Sequence, residues 1–199
     1  MTGQVEEIRQ GVVGRDFRER LLGQEMKDRA KSIESVLGGT IAAFELTKAE
    51  VANLDRVNEP LMVRYTFVAP SYAKKAGALL LVRPRVLGQK NWSIMEGSKR
   101  VYPVEYDSAS FQSDTFEIEL PSSFDVDEMP DPVDVVYDFG EYHSKVEHTG
   151  NELKYTRQFT IKKVMVPTNR LDDLKKFYRQ IAADERNTAV LKAKVEAGK

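Results

Sequence analysis

The sequence predicts an α+β protein built mainly on antiparallel, sandwich-like β-sheet, with a helical segment near the N-terminus and one helix near the C-terminus. Three observations carry this expectation. Apolar and polar residues alternate in several short runs, most of them closed by proline, glycine or asparagine. Successive runs in the second half are joined by turns too short for a crossover, which pairs neighbours antiparallel. Apolar residues spaced by three and four gather toward the two ends of the chain.

In the first half, residues 4–13 are short and mixed, the pattern of an edge strand ending at Gly14. Residues 15–37 become helical: Phe17, Leu21, Met26, Ala30, Ile33 and Leu37 recur on one side while charged residues fill the others. Gly23 weakens the middle, since glycine costs about 1 kcal/mol against alanine in a helix, and predicts a break into two helices. Gly38-Gly39 then offers a stop able to adopt the left-handed conformation. Residues 41–51 read as a strand and 53–60 (NLDRVNEP) as a polar loop. Leu61, Val63, Tyr65 and Phe67 alternate with polar or smaller neighbours in a half-buried strand that ends at Pro70. Residues 79–82 make a short strand closed by Pro84, and residues 87–99 read as a connection.

The second half is cleaner. Phe116, Ile118 and Leu120 face inward until Pro121 ends their strand. Residues 122–132 hold several acids and two prolines, a loop around at most a short strand at 124–126. Val133, Val135 and Tyr137 begin the next strand, 138–140 marks a turn, and 142–148 returns. Thr149-Gly150-Asn151 is a tight hairpin signal. Leu153, Tyr155, Phe159 and Ile161 then share one face of a long strand. Leu171, Leu174, Phe177, Tyr178 and Ile181 form a helix stripe, with Thr168 or Asn169 as N-cap and Asp172 and Asp173 in the first turn. The tail from residue 190 is expected to fray. One domain over residues 1–199 with a shared core is the preferred organisation, and subdomains 1–90 and 91–199 are the alternative.

Composition narrows the function. The 199 residues are 41% hydrophobic and 31% charged, an ordinary globular balance. Thirty basic and thirty-one acidic side chains leave a formal charge of −1 and no basic excess for nucleic acid. The absence of cysteine removes disulfides, thiolate metal sites and thiol nucleophiles together. No apolar run approaches the roughly 20 residues that span a bilayer, and MTGQVEEIRQ lacks a signal-peptide pattern.

Few residues could carry chemistry. His143 and His148 are five apart on one strand, which sends them to opposite faces and makes no two-histidine metal site. Asp125, Asp127, Glu128 and Asp131 supply oxygens without the glycine turn of a calcium loop, so they read as a solvated acidic loop. Trp92, Tyr102, Tyr106 and Phe111 could line a groove, although aromatic residues of a β-rich domain more often fill its core. There is no nucleophile elbow and no phosphate loop. Arg157 stands out because it shares a strand face with Tyr155 and Phe159, where an apolar residue is expected. It reads as a strand-end or edge arginine whose head pairs with a carboxylate. The functional alternative is an anion or partner contact at Arg157. No catalytic residue, metal ligand or cofactor is assigned.

Short motifs then give a resemblance: Arg100, Pro103 and Val104; Glu119-Leu120-Pro121 followed by Met129-Pro130; Gly140 with Tyr142; Leu153-x-Tyr155-x-Arg157; and a helix ending in Asp184. In the first half a glycine precedes a helix with Arg18 or Arg20, and NLDRVNEPLMVRYTFVAP follows. Together these motifs resemble the C-terminal domain of unknown function that follows the papain-like core in bacterial transglutaminase-like proteins. The resemblance implies a β-rich N-terminal domain and a Cys-His-Asp core upstream, neither carried by this chain, and an extracytoplasmic home. It implies a non-catalytic accessory domain, not an enzyme as the chain stands, whose partner is the transglutaminase-like domain of the same polypeptide. The alternative class is a module that binds a glycan, peptide or lipid.

Overall fold

The computed structural model of the chain describes residues 1–25, 28–90 and 100–194. Met26, Trp92, most of the connection expected at 87–99 and the last five residues of the tail lie outside them. The first half runs β1 (Thr2–Arg9), α1 (Gly11–Leu22), α2 (Arg29–Gly38), β2 (Glu45–Ala52), β3 (Leu61–Val68), β4 (Lys74–Ala76) and β5 (Leu79–Val82). The second continues β6 (Val104–Glu105), β7 (Ser110–Glu119), β8 (Phe124–Glu128), β9 (Val133–Val136), β10 (Gly140–Thr149), β11 (Glu152–Ile161) and β12 (Met165–Val166). It closes with α3 (Leu171–Asp184) and β13 (Ala189–Ala193).

A seven-stranded antiparallel sheet, in the order β2-β3-β1-β7-β11-β10-β9, forms the body of the protein. A four-stranded sheet, β4-β5-β13-β8, and a small β12-β6 pair complete the strands among the described residues. The α+β class holds. Strands from both halves of the chain pair directly, since β1 lies along β7 from Gly3↔Ile118 to Arg9↔Gln112. The hairpin at Gly150 is present, with a backbone φ of 61° that glycine adopts without strain.

The alternation along the strands sorts residues onto two faces. Leu61, Val63, Tyr65 and Phe67 are buried, as are Phe116, Ile118, Leu153 and Tyr155. With Phe17 and Leu21 of α1, Ile33 and Leu37 of α2, and Val82 and Leu191 from the smaller sheet, they make one apolar core. A second core gathers Tyr142, Phe159 and Ile161 under Leu174, Phe177, Tyr178 and Ile181 of α3. Phe177 is its hub, with ring centroids 5.5–6.1 Å from Tyr178, Phe139, Tyr137 and Phe159.

Several expectations need correction. The strand in residues 4–13 is not at an edge: β1 is interior, between β3 and β7. Its pattern looked mixed because Glu7 faces inward and is buried. The helix then starts at Gly11, ahead of Gly14, which is in its first turn. The break between α1 and α2 occurs as expected, but Gly39 stays right-handed (φ −70°, ψ −15°). The end of α2 is held instead by Thr40 and Ile41 N–H groups, both donating to Leu37 O at 2.9 and 2.8 Å. Neither Thr168 nor Asn169 caps α3. They lie in a 3-10 turn, Thr168–Arg170, that feeds the helix without a side-chain cap. The tail does not fray at residue 190: β13 is an interior strand between β5 and β8, with Ala189 and Leu191 buried.

Candidate functional site

Between the two cores the inner face of the large sheet turns polar. Register aligns Glu7 of β1, Asp114 of β7, Arg157 of β11 and Ser144 of β10 side by side in one transverse row. All four are buried. On one side of them lie Val5, Phe116 and Tyr155 of the first core, and on the other Arg9, Gln112, Phe159 and Tyr142. The row is thus a polar seam where an apolar sheet would continue.

Arg157 is at its centre, in an interior strand rather than at a strand end or edge, which corrects that part of the sequence reading. Its head does pair with carboxylates: Nε donates to Asp114 Oδ2 at 2.9 Å, Nη2 to the same oxygen, and Nη1 to Glu185 Oε1 at 3.3 Å. Nη1 also donates to the Gly88 carbonyl at 2.9 Å. The side chain has no solvent exposure. A buried arginine in this setting is tolerated because its donors are met.

The loop after β5 brings the backbone that closes over it. Gly88 has φ 74°, and a side chain there would fall on the Arg157 guanidinium, so glycine is required twice over. Arg85 is buried as well, its guanidinium donating to the carbonyls of Glu185 (3.4 Å) and Leu87 (3.2 Å). Burial pushes the Glu185 carboxyl above its ordinary range, opposed by the Lys90 N–H and by Arg85 and Arg157. Glu185 Oε2 is the one buried side-chain polar atom among the described residues without a hydrogen-bond partner.

Asp184, one residue earlier at the end of α3, meets a different set. Its Oδ2 accepts from the hydroxyls of Tyr142 (2.5 Å), Ser144 (2.9 Å) and Tyr155 (3.1 Å). Burial raises both tyrosines above their ordinary range. The two adjacent acids at the end of α3 therefore tie the helix to the sheet, one through hydroxyls and the other through cations. At the other side Tyr65 donates to Glu7 at 2.8 Å, and Arg9 Nε donates to the second Glu7 oxygen at 2.8 Å.

The remaining candidates stay apart. His143 Nδ1 is 2.7 Å from Asp134, and His148 Nε2 is 2.7 Å from the Gly150 carbonyl. Asp125, Asp127 and Glu128 are on β8, a longer strand than expected, with Asp131 beyond it. No group of three or more His, Asp or Glu side chains among the described residues could hold a metal. Tyr106 meets Tyr178, hydroxyl to hydroxyl at 3.0 Å, and Tyr106 packs on the second core. Tyr102 is exposed. The outer face of the large sheet has two concavities of about 460 and 540 Å³, both touching Thr115. No helix among the described residues is long and apolar enough to cross a membrane.

Sequence reasoning found Arg157, had Asp184 only as a motif residue of the resemblance, and missed Asp114, Ser144, Glu185, Arg85 and Lys90. One signal was available. Counting back by two from Ile118 and Phe116 reaches Asp114, an acid on an apolar face opposite an arginine on another apolar face. Each breaks a pattern alone, and together they compensate.

Fold and seam define an α+β domain of antiparallel sheets with a closed, charged centre. The chain belongs to the DUF3858 family of domains of unknown function, which matches residues 78–191, more than half of its length. Arg85, Gly88, Asp114, Arg157 and both acids at the end of α3 fall inside that match. No curated protein and no solved structure matches the chain.

Proposed function

We propose that the chain is a non-catalytic accessory domain that packs against, and positions, a transglutaminase-like domain of the same polypeptide. The observation that carries the reading is the engagement of the seam. Arg157, Asp114, Asp184 and Arg85 all spend their hydrogen bonds on other parts of this chain, and Arg157 and Asp114 have at most 2% side-chain exposure. A group so enclosed serves the fold, which leaves surfaces for function.

The motifs behind the resemblance have the same character. Gly140 lets β10 pass a neighbour, since a Cβ there would lie 2.7 Å from the Thr160 carbonyl. Tyr142, Tyr155, Arg157 and Asp184 meet in the seam. Arg18 is buried and grips the 53–60 loop, donating to the carbonyls of Asn53, Arg56 and Glu59 at 2.7–3.3 Å. These are devices for shape.

The test is a titration of the folded chain against the separately expressed transglutaminase-like domain of the same gene product. Saturable association is expected. No association in a folded sample, or a gene product without such a domain, overturns the reading. A second reading, a ligand-binding module, is favoured by the paired concavities on the outer sheet face. A glycan or peptide that binds the wild type and is lost in Thr115→Arg would support it.

A further inference from the structure

Lys90 lies where the loop after β5 turns back over the large sheet. Its backbone N–H is fixed to Glu185 Oε1 at 2.9 Å. Its Nζ is in hydrogen-bond contact with Gln112 Oε1, 4.4 Å from the centre of the Phe159 ring. The other end of the same carboxamide is held too: Gln112 Nε2 donates to Asp114 Oδ1 at 3.0 Å and Oδ2 at 3.2 Å. One amide thus has an amine at its carbonyl and a carboxylate on its nitrogen. The amide carbon is a single C=O bond, about 1.2 Å, beyond the oxygen that Nζ touches.

The surroundings raise the neutral fraction of the amine above that of an ordinary lysine. Burial, then the positive charge of Arg157 on β11, pushes the Lys90 ammonium down to about 8. Arg9 on β1 acts in the same direction, while Asp114 on β7 and Glu185 after α3 oppose it. Desolvation beside another cation is a standard way to activate a lysine as a nucleophile. Lys90 and Gln112 are only half-buried, so a small leaving group has a way out.

We propose that Lys90 and Gln112 form an intramolecular isopeptide bond. Neutral Nζ attacks Gln112 Cδ, the Nζ–Cδ bond forms and the Cδ–Nε2 bond breaks. Nζ gives up one proton and the departing nitrogen, which is hydrogen-bonded to the Asp114 carboxylate, takes one up and leaves as ammonia. Amine and primary amide become secondary amide and ammonia, with no redox change and no co-reactant. The bond staples the loop after β5 to β7, positions 22 residues apart, beside the seam that joins the two cores. It stands independently of the accessory-domain reading.

Intact-mass and peptide mass spectrometry of the full chain, incubated on either side of pH 8, decides the matter. The expected result is a species lighter by one ammonia that accumulates faster above pH 8, with a branched peptide joining Lys90 to Gln112. Lys90→Arg and Gln112→Met, folded by circular dichroism, should each retain their full mass. A folded wild type that keeps its sequence mass above pH 8, or a mass loss mapping elsewhere, overturns the proposal and leaves an ordinary lysine–glutamine hydrogen bond.

Discussion

The two faces of the seven-stranded sheet carry the same pair chemistry in opposite surroundings. On the inner face Arg157 meets Asp114, with side-chain exposures of 0% and 2%. On the outer face, one register step from Asp114's neighbour Glu7, Arg64 meets Glu6 at 2.5 Å, with exposures of 45% and 40%. Water and salt screen the outer pair, and each partner is solvated without the other. The inner pair has no such recourse, so removing one member strands a charge in apolar surroundings. The difference teaches that an arginine–carboxylate contact has no fixed worth, and that burial decides whether it holds the fold or decorates it.

The sharpest way to break that contrast is Arg157→Met, which leaves Asp114 without its cation and takes one of the cations from Glu185. Unfolding free energy should fall by about 3–5 kcal/mol, read by urea denaturation. Asp184→Ala comes next. It removes the acceptor shared by Tyr142, Ser144 and Tyr155, and a loss of about 2–3 kcal/mol is expected by the same assay. Gly88→Ala should follow at about 1–3 kcal/mol, because alanine is strained at positive φ and its methyl displaces the Arg157 guanidinium.

A pH prediction sharpens the comparison from another side. Burial raises Tyr65, Tyr142, Tyr155 and Tyr178 in the folded protein, while an unfolded tyrosine ionises near pH ~10. The folded state therefore binds more protons above that pH. Its tyrosine-linked stability is complete below pH ~10 and is lost as pH rises further. The urea midpoint should decline steadily above pH ~10, and Tyr142→Phe should flatten the slope. Last and smallest, Glu6→Gln on the outer face should leave the denaturation midpoint where it was.

Much of the fold was legible before the structure, for reasons that residues make plain. The apolar alternation of Leu61 to Phe67, the Thr149-Gly150-Asn151 turn and the Leu174–Phe177–Ile181 stripe each rest on neighbours in sequence. What escaped depends on distant partners. The strand at Thr2–Arg9 is interior only because β7, more than 100 residues later, pairs with it. The strand at Ala189–Ala193 is a short run of AVLKA whose burial comes from β5 and β8. The seam was half visible. Arg157 broke an apolar face and announced itself, whereas Asp184 and Glu185 look like ordinary helix-end acids until the sheet beneath them is known. Lys90 and Arg85 sit in a connection with no periodicity to violate.

A double-mutant cycle on Arg157 and Asp114 tests the central claim, that the inner-face charges serve the fold as one unit. Arg157→Met, Asp114→Leu and the combined variant would be compared with wild type by equilibrium urea unfolding. A coupling of about 2–3 kcal/mol, with the double variant less destabilised than the sum of the singles, is the predicted result. Additive losses with coupling indistinguishable from zero would contradict the account, since the buried pair would then behave like the exposed one on the other side of the sheet.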